Sequence, residues 1–90
     1  MIVMILRGDS LGEPTGYDGQ YLKDFDFEAY SGQGMISMTP DLAQAKRFAS
    51  VFDAWEFRKR QPVCRPLRPD GLPNRPLTAT TWEFVDEALI

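Results

Sequence analysis

The sequence predicts an α+β domain in which an antiparallel sheet of about five strands, in the order β-β-β-α-β-β, packs on one helix. Three observations carry this. Strand-like patterns open and close the chain, Thr39-Pro40-Asp41 starts a helical segment between them, and ninety residues suffice for one modest core. The whole chain, 1–90, is therefore expected to be a single domain.

Ile2 to Leu6 is apolar without alternation, which suits a strand buried on both faces. Gly8 to Gly19 is rich in glycine and acids and reads as a loop, with Tyr17 as its only large anchor. Gln20 to Glu28 resumes a strand pattern. There Phe25 and Phe27 point one way, and Asp24, Asp26 and Glu28 the other. Ser31 to Gly34 is a turn, and Met35 to Met38 a short strand.

Thr39 is the expected helix N-cap, with Pro40 at the first helical position and Asp41 in the first turn. Leu42, Ala45, Phe48, Ala49 and Phe52 continue at helical spacing, which favours a core role for Phe48, Phe52, Trp55 and Phe57. Ser50 and Asp53 form a second capping box, so the helix is allowed a break near Ser50, its second half running to about Arg60. Five prolines between 62 and 77 restrict any strand there to an edge or an extended arm. Arg68-Pro69-Asp70-Gly71 fits a type I turn. Leu77 to Val85 alternates, with Trp82 and Phe84 directed at the core.

The chain holds no histidine and one cysteine, Cys64. That excludes Ser-His and Cys-His pairs, an internal disulfide, and His- or four-Cys zinc sites built from this chain. Only carboxylate chemistry remains, and most acids sit in sequence contexts that read as solvated, so neither an enzyme nor a cofactor protein is expected. Cys64 itself reads as a small buried apolar residue, or as a reactive thiol if exposed. The apolar start is too short for a membrane span and lacks the features of a secretory signal, so a cytoplasmic protein is expected.

Charge is segregated along the chain. Residues 1–45 hold seven acids and two bases, net −5; residues 46–75 hold eight bases and three acids, net +5; residues 76–90 add three acids. Such segregation bears on partners and association rates rather than on fold. In a regular strand, Asp24, Asp26 and Glu28 would form a row spaced by about 6.6 Å, comparable with the phosphate repeat of nucleic acid. Asp18 and Glu13 would extend it. The same row also reads as a solvated sheet face, or as carboxylates for a divalent ion, although the spacing is wide for one ion. Arg65, Arg68 and Arg75 on the Pro-rich arm are a second candidate, for nucleic-acid phosphates. They also read as partners of Glu83, Asp86 or Asp24 across the sheet.

Tyr21-Leu22-Lys23-Asp24-Phe25-Asp26, Gln44-Ala45-Lys46-Arg47-Phe48-Ala49 and the arm from Arg65 to Leu77 together resemble small phage- and prophage-encoded proteins of alphaproteobacteria. Taken whole, the chain resembles the type I-C anti-CRISPR proteins found there. The resemblance implies a monomeric inhibitor in the bacterial cytoplasm that binds the Cascade effector and blocks target-DNA engagement. It assigns no residue a role. The acidic row as the contact surface is read from the residues. A phage accessory protein that binds nucleic acid through the arm, and a virion or morphogenesis component, are the alternatives.

Overall fold

The computed structural model describes residues 1–90 as a four-stranded antiparallel sheet with one short helix. The strands are β1 (Ile2–Asp9), β2 (Tyr21–Asp26), β3 (Met35–Thr39) and β4 (Thr80–Asp86), and the helix, α1, is Val51–Arg58. Their spatial order is β3-β2-β1-β4. Three consecutive strands thus form a meander and the fourth returns by a long connection to lie beside the first, which is Greek-key order. No helix is long and apolar enough to cross a membrane.

The unalternating run in β1 takes the central position expected of it. Val3, Met4, Ile5 and Leu6 are all buried. Met4 and Leu6 pack with Leu22, Phe27, Phe48, Ala54, Leu77 and Trp82 in the main cluster, while Val3, Ile5 and Ala45 are buried outside it. Trp82 and Phe84 do face the core, opposite Leu6 and Met4 in the β1–β4 register.

β2 leaves the sheet early. It pairs with β1 at Ile5–Tyr21 and then bulges between Leu22 and Asp24. The gap that opens is filled by the chain at 46–48. The Lys46 N–H donates to the Leu22 carbonyl (2.8 Å), and Phe48 exchanges two backbone hydrogen bonds with Ile2 (2.8 and 2.9 Å). This wedge is why the helix expected to begin at Pro40 does not form. Only one 3-10 turn, Leu42–Gln44, survives, capped by Asp41 rather than Thr39. Arg47 holds the extended stretch by donating to the Leu42, Ala43 and Ala45 carbonyls and pairing with Glu87 (2.7 Å). Tertiary hydrogen bonds here override a favourable start signal and local propensity.

The second half of the expected helix exists. The Ser50 hydroxyl accepts the Asp53 N–H (3.2 Å) and α1 runs to Arg58. Because the chain before it is extended, Phe48 is out of phase with Phe52. Phe48 is 7% exposed, but Phe52 is 69% and Trp55 43% exposed, contrary to their expected core roles. Tyr17 is likewise exposed rather than a buried anchor. A fifth strand is absent. The arm holds only an isolated bridge, Leu67–Pro73, around the expected turn, in which the Gly71 N–H donates to the Arg68 carbonyl (2.9 Å). Pro76–Ala79 is a 3-10 turn that buries Leu77 before β4 begins.

The β2–β3 connection is a left-handed turn, with positive φ at Tyr30, Ser31, Gly32 and Gly34. A Cβ at Gly34 would collide with the Phe25 ring, and one at Gly32 would lie 2.7 Å from the Arg65 Cβ.

Phe48→Ala should cost about 3–5 kcal/mol in a urea unfolding titration, whereas Phe52→Ala should stay within about 0.5 kcal/mol of wild type. Equal losses would mean that the helix phase described here is wrong. In the same assay Gly34→Ala should cost about 1–3 kcal/mol through overpacking and φ strain.

Candidate functional site

The acidic row does not survive intact. β2 ends at Asp26, whose Oδ1 accepts the Glu28 N–H (3.0 Å) and turns the chain out of the strand. Asp24 and Asp26 lie beyond the bulge, opposite Ser37 and Met35 of the edge strand β3. Both are exposed, and Asp24 has Lys46 Nζ as its only ionic neighbour, at 4.0 Å. Asp18 accepts from the Thr15 hydroxyl and N–H in the loop that enters β2, and Glu13 is exposed in the same loop. Asp26 closes the other end of β2, about 17 Å further at roughly 3.3 Å per residue. The acids are therefore strung along β2 rather than gathered in one patch. No group of three or more Asp, Glu or Cys side chains is close enough to hold a metal ion.

Glu28 has a different position from the one its spacing implied. Its carboxylate accepts the Val63 N–H through Oε2 and the Cys64 N–H through Oε1, both at 2.8 Å. These two amides, first that of Cys64 and then that of Val63, hold the carboxyl below its ordinary pKa, with help from the Cys64 thiol and nearby Arg60. Glu28 is thus the clamp that attaches the Pro-rich arm to the end of β2. Cys64 is exposed, not buried, and its thiol is pushed up by hydrogen bonding to Glu28, then by desolvation and the Glu28 charge. The thiol is held protonated, the opposite of an activated nucleophile.

Further contacts fix the arm. Asn74 Nδ2 donates to the Gly32 carbonyl (2.9 Å) and the Arg65 carbonyl (3.0 Å), and Gln61 Nε2 to the Pro66 carbonyl (2.7 Å). Asp70 pairs with Arg68 (2.6 Å) and accepts the Leu72 N–H; Arg68 first and that amide second lower its pKa. The sequence offered Glu83, Asp86 and Asp24 as partners for the arm's arginines, and none fills that role. Glu83 pairs with Arg7, Asp86 with the N-terminal amine, and Asp24 with Lys46. Arg65 and Arg75 have no carboxylate within 4.0 Å. The arm encloses two concavities, of about 210 and 350 Å³, that share Arg68 and Asn74. Arg65 lines the first and Arg75 the second.

A third, shallower depression of about 340 Å³ lies against Phe52 and Trp55 on α1. The Trp55 ring is 5.4 Å from Phe84 and lies under the Arg58 guanidinium at 5.0 Å. Sequence reasoning missed this pair because it extended one helical period across the wedge. The chain matches no protein family, and no curated protein or solved structure is significantly similar to it.

Glu28 favours the folded arm most where it is ionised. Its folded pKa lies below the 4.5 of an unperturbed carboxyl, so its stabilisation is complete above that value and is lost as pH falls through the folded pKa. Hydrogen exchange at the Val63 and Cys64 amides should accelerate in Glu28→Gln relative to wild type at neutral pH, and Cys64 should alkylate faster at pH 8. Unchanged thiol reactivity in that variant would contradict the clamp.

Proposed function

We propose that this protein is a non-catalytic inhibitor that binds the type I-C CRISPR effector Cascade and obstructs target-DNA engagement, with Asp24 and Asp26 as the centre of the contact. The observation that carries the proposal is the exposure of these two carboxylates on β2, beside an edge strand, in the regular stretch after the bulge. At about 6.6 Å, their spacing is close to that of successive phosphates. An RNA-guided effector holds its nucleic acids through their backbones in positively charged channels, which an acidic domain can occupy in their place. The resemblance of the chain, over most of residues 20–82, to phage-encoded type I-C inhibitors supplies the partner. Asp18 and Glu13 stand at the far end of β2 and extend the same field. Glu28 is committed to the arm and is left out of the contact.

Purified Cascade should retain the wild-type protein in a pull-down and lose Asp24→Lys/Asp26→Lys, while circular dichroism of the variant stays unchanged. Retention should fall as salt rises, because steering between opposite charges is screened. Full inhibition by the double variant would remove the acidic contact. Failure of the wild-type protein to bind would remove the effector.

A further inference from the structure

We infer that the arm forms a second site, a groove that takes the phosphodiester backbone of nucleic acid on Arg65, Arg68 and Arg75. The inference is independent of the effector reading. The two concavities along the arm share Arg68 and Asn74 in their linings, so Arg68 borders both the one that Arg65 lines and the one that Arg75 lines. Their joint lining is mixed: Pro69, Pro73, Pro76 and Ala79 give it apolar surface, and Ser10 and Thr78 add hydroxyls beside Arg75. Each guanidinium offers about five N–H donors in a planar fork that matches phosphate oxygens. Those of Arg65 and Arg75 engage no other group of the protein, while Arg68 is shared with Asp70.

The arginines are borne on a backbone that is already fixed. Glu28 ties residues 63 and 64, and Asn74 commits its amide nitrogen to the Gly32 and Arg65 carbonyls. Asn74 is thus a positioning residue rather than a ligand contact. Five prolines further limit the arm's freedom, so little ordering remains to oppose binding. The arm itself holds Arg65, Arg68 and Arg75 against Asp70, net +2, in a chain of net charge −3. Attraction of a polyanion is therefore a local property of the arm, not of the whole surface.

The chemistry also selects among anions. No aromatic side chain lines the groove, so bases have nothing to stack on and contacts go to phosphates without regard to sequence. Single strands and duplexes share that backbone. An acidic peptide would offer carboxylates too, but guanidiniums flanked by hydroxyl side chains are the usual company of phosphates.

Fluorescence anisotropy with a labelled single strand and a labelled duplex tests the site. The wild-type protein should bind at low salt, with a dependence set by two to three phosphate contacts. For a single strand that means roughly sevenfold to twentyfold weaker binding between about 50 and 200 mM salt. Arg65→Ala/Arg75→Ala should bind at least tenfold more weakly with unchanged circular dichroism, and Arg58→Ala, outside the groove, should bind as wild type. Asp24→Lys/Asp26→Lys should retain binding, which separates this site from the effector contact. The relative affinity of the two oligonucleotides identifies the backbone form preferred. Absence of wild-type binding to both, or an unaffected Arg65→Ala/Arg75→Ala variant, would overturn the groove. Equal affinity for polyglutamate would overturn its assignment to phosphates.

Discussion

The contact between the Glu28 carboxylate and the Val63 and Cys64 amides is what gives the second half of this molecule a place. The arm from 62 to 76 has no ladder to join, since five prolines deprive it of donors. Left free, such a segment would be extended and mobile. One charge-assisted, two-pronged hydrogen bond, with Asn74 bridging Gly32 and Arg65, fastens it to the β2–β3 turn. The left-handed backbone at Tyr30 and Ser31 belongs to the same arrangement. It turns the chain sharply after Glu28 and brings Gly32 against Pro62, Cys64 and Arg65, where no Cβ fits. Backbone strain at that turn is offset by the attachment it permits.

A second constraint is the wedge between β1 and β2. A ninety-residue chain has few apolar side chains to spend, and a sheet of four strands leaves an incompletely covered face. By splaying β2 and inserting residues 46–48, the fold brings Phe48 into contact range of Phe57, at 5.3 Å between ring centroids, and Phe57 in turn onto Phe27 at 5.2 Å. Lys46 closes this edge with its ammonium 5.0 Å from the Phe57 ring and 4.0 Å from Asp24. The consequence reaches the surface. Extended chain at 46–48 sets the phase of α1, and that phase leaves Phe52 exposed.

Local signals were legible and long-range ones were not. The both-face burial of β1, the Ser50 cap, the turn at Arg68–Gly71 and the inward Trp82 and Phe84 each follow from a few adjacent residues. Local signals predict a helix after Pro40, but the groups that compete for Lys46 and Phe48, on Leu22 and Ile2, lie more than twenty residues from them and are backbone atoms that carry no sequence signature. The same holds for Glu28. Alternation placed it in a strand with Asp24 and Asp26, yet its partners are amides 35 and 36 residues further on. For the candidate sites the result is uneven. Arg65, Arg68 and Arg75 are identifiable by residue type, but the pairing of Glu83 with Arg7 and of Asp86 with the N-terminal amine joins residues far apart in the chain and carries no local signal.

The charge pattern acquires a different meaning once Glu28 is reassigned. Read linearly, the chain divides into an acidic first half and a basic middle. In space, one of the acids is carried into the basic part, where it binds neutral amides rather than arginines and so fixes the arm without occupying Arg65 or Arg75. An ion pair at the same place would have fastened the arm while cancelling the charge it bears. Amide donors separate the two effects, because they satisfy a carboxylate without using a side-chain cation. The acidic surface on β2 is reduced to Asp24 and Asp26, and the arm keeps Arg65 and Arg75 unpaired, with Arg68 shared with Asp70. The two fields therefore belong to separate elements, β2 and the arm, with the Glu28 carboxylate as the hydrogen-bonded link between them.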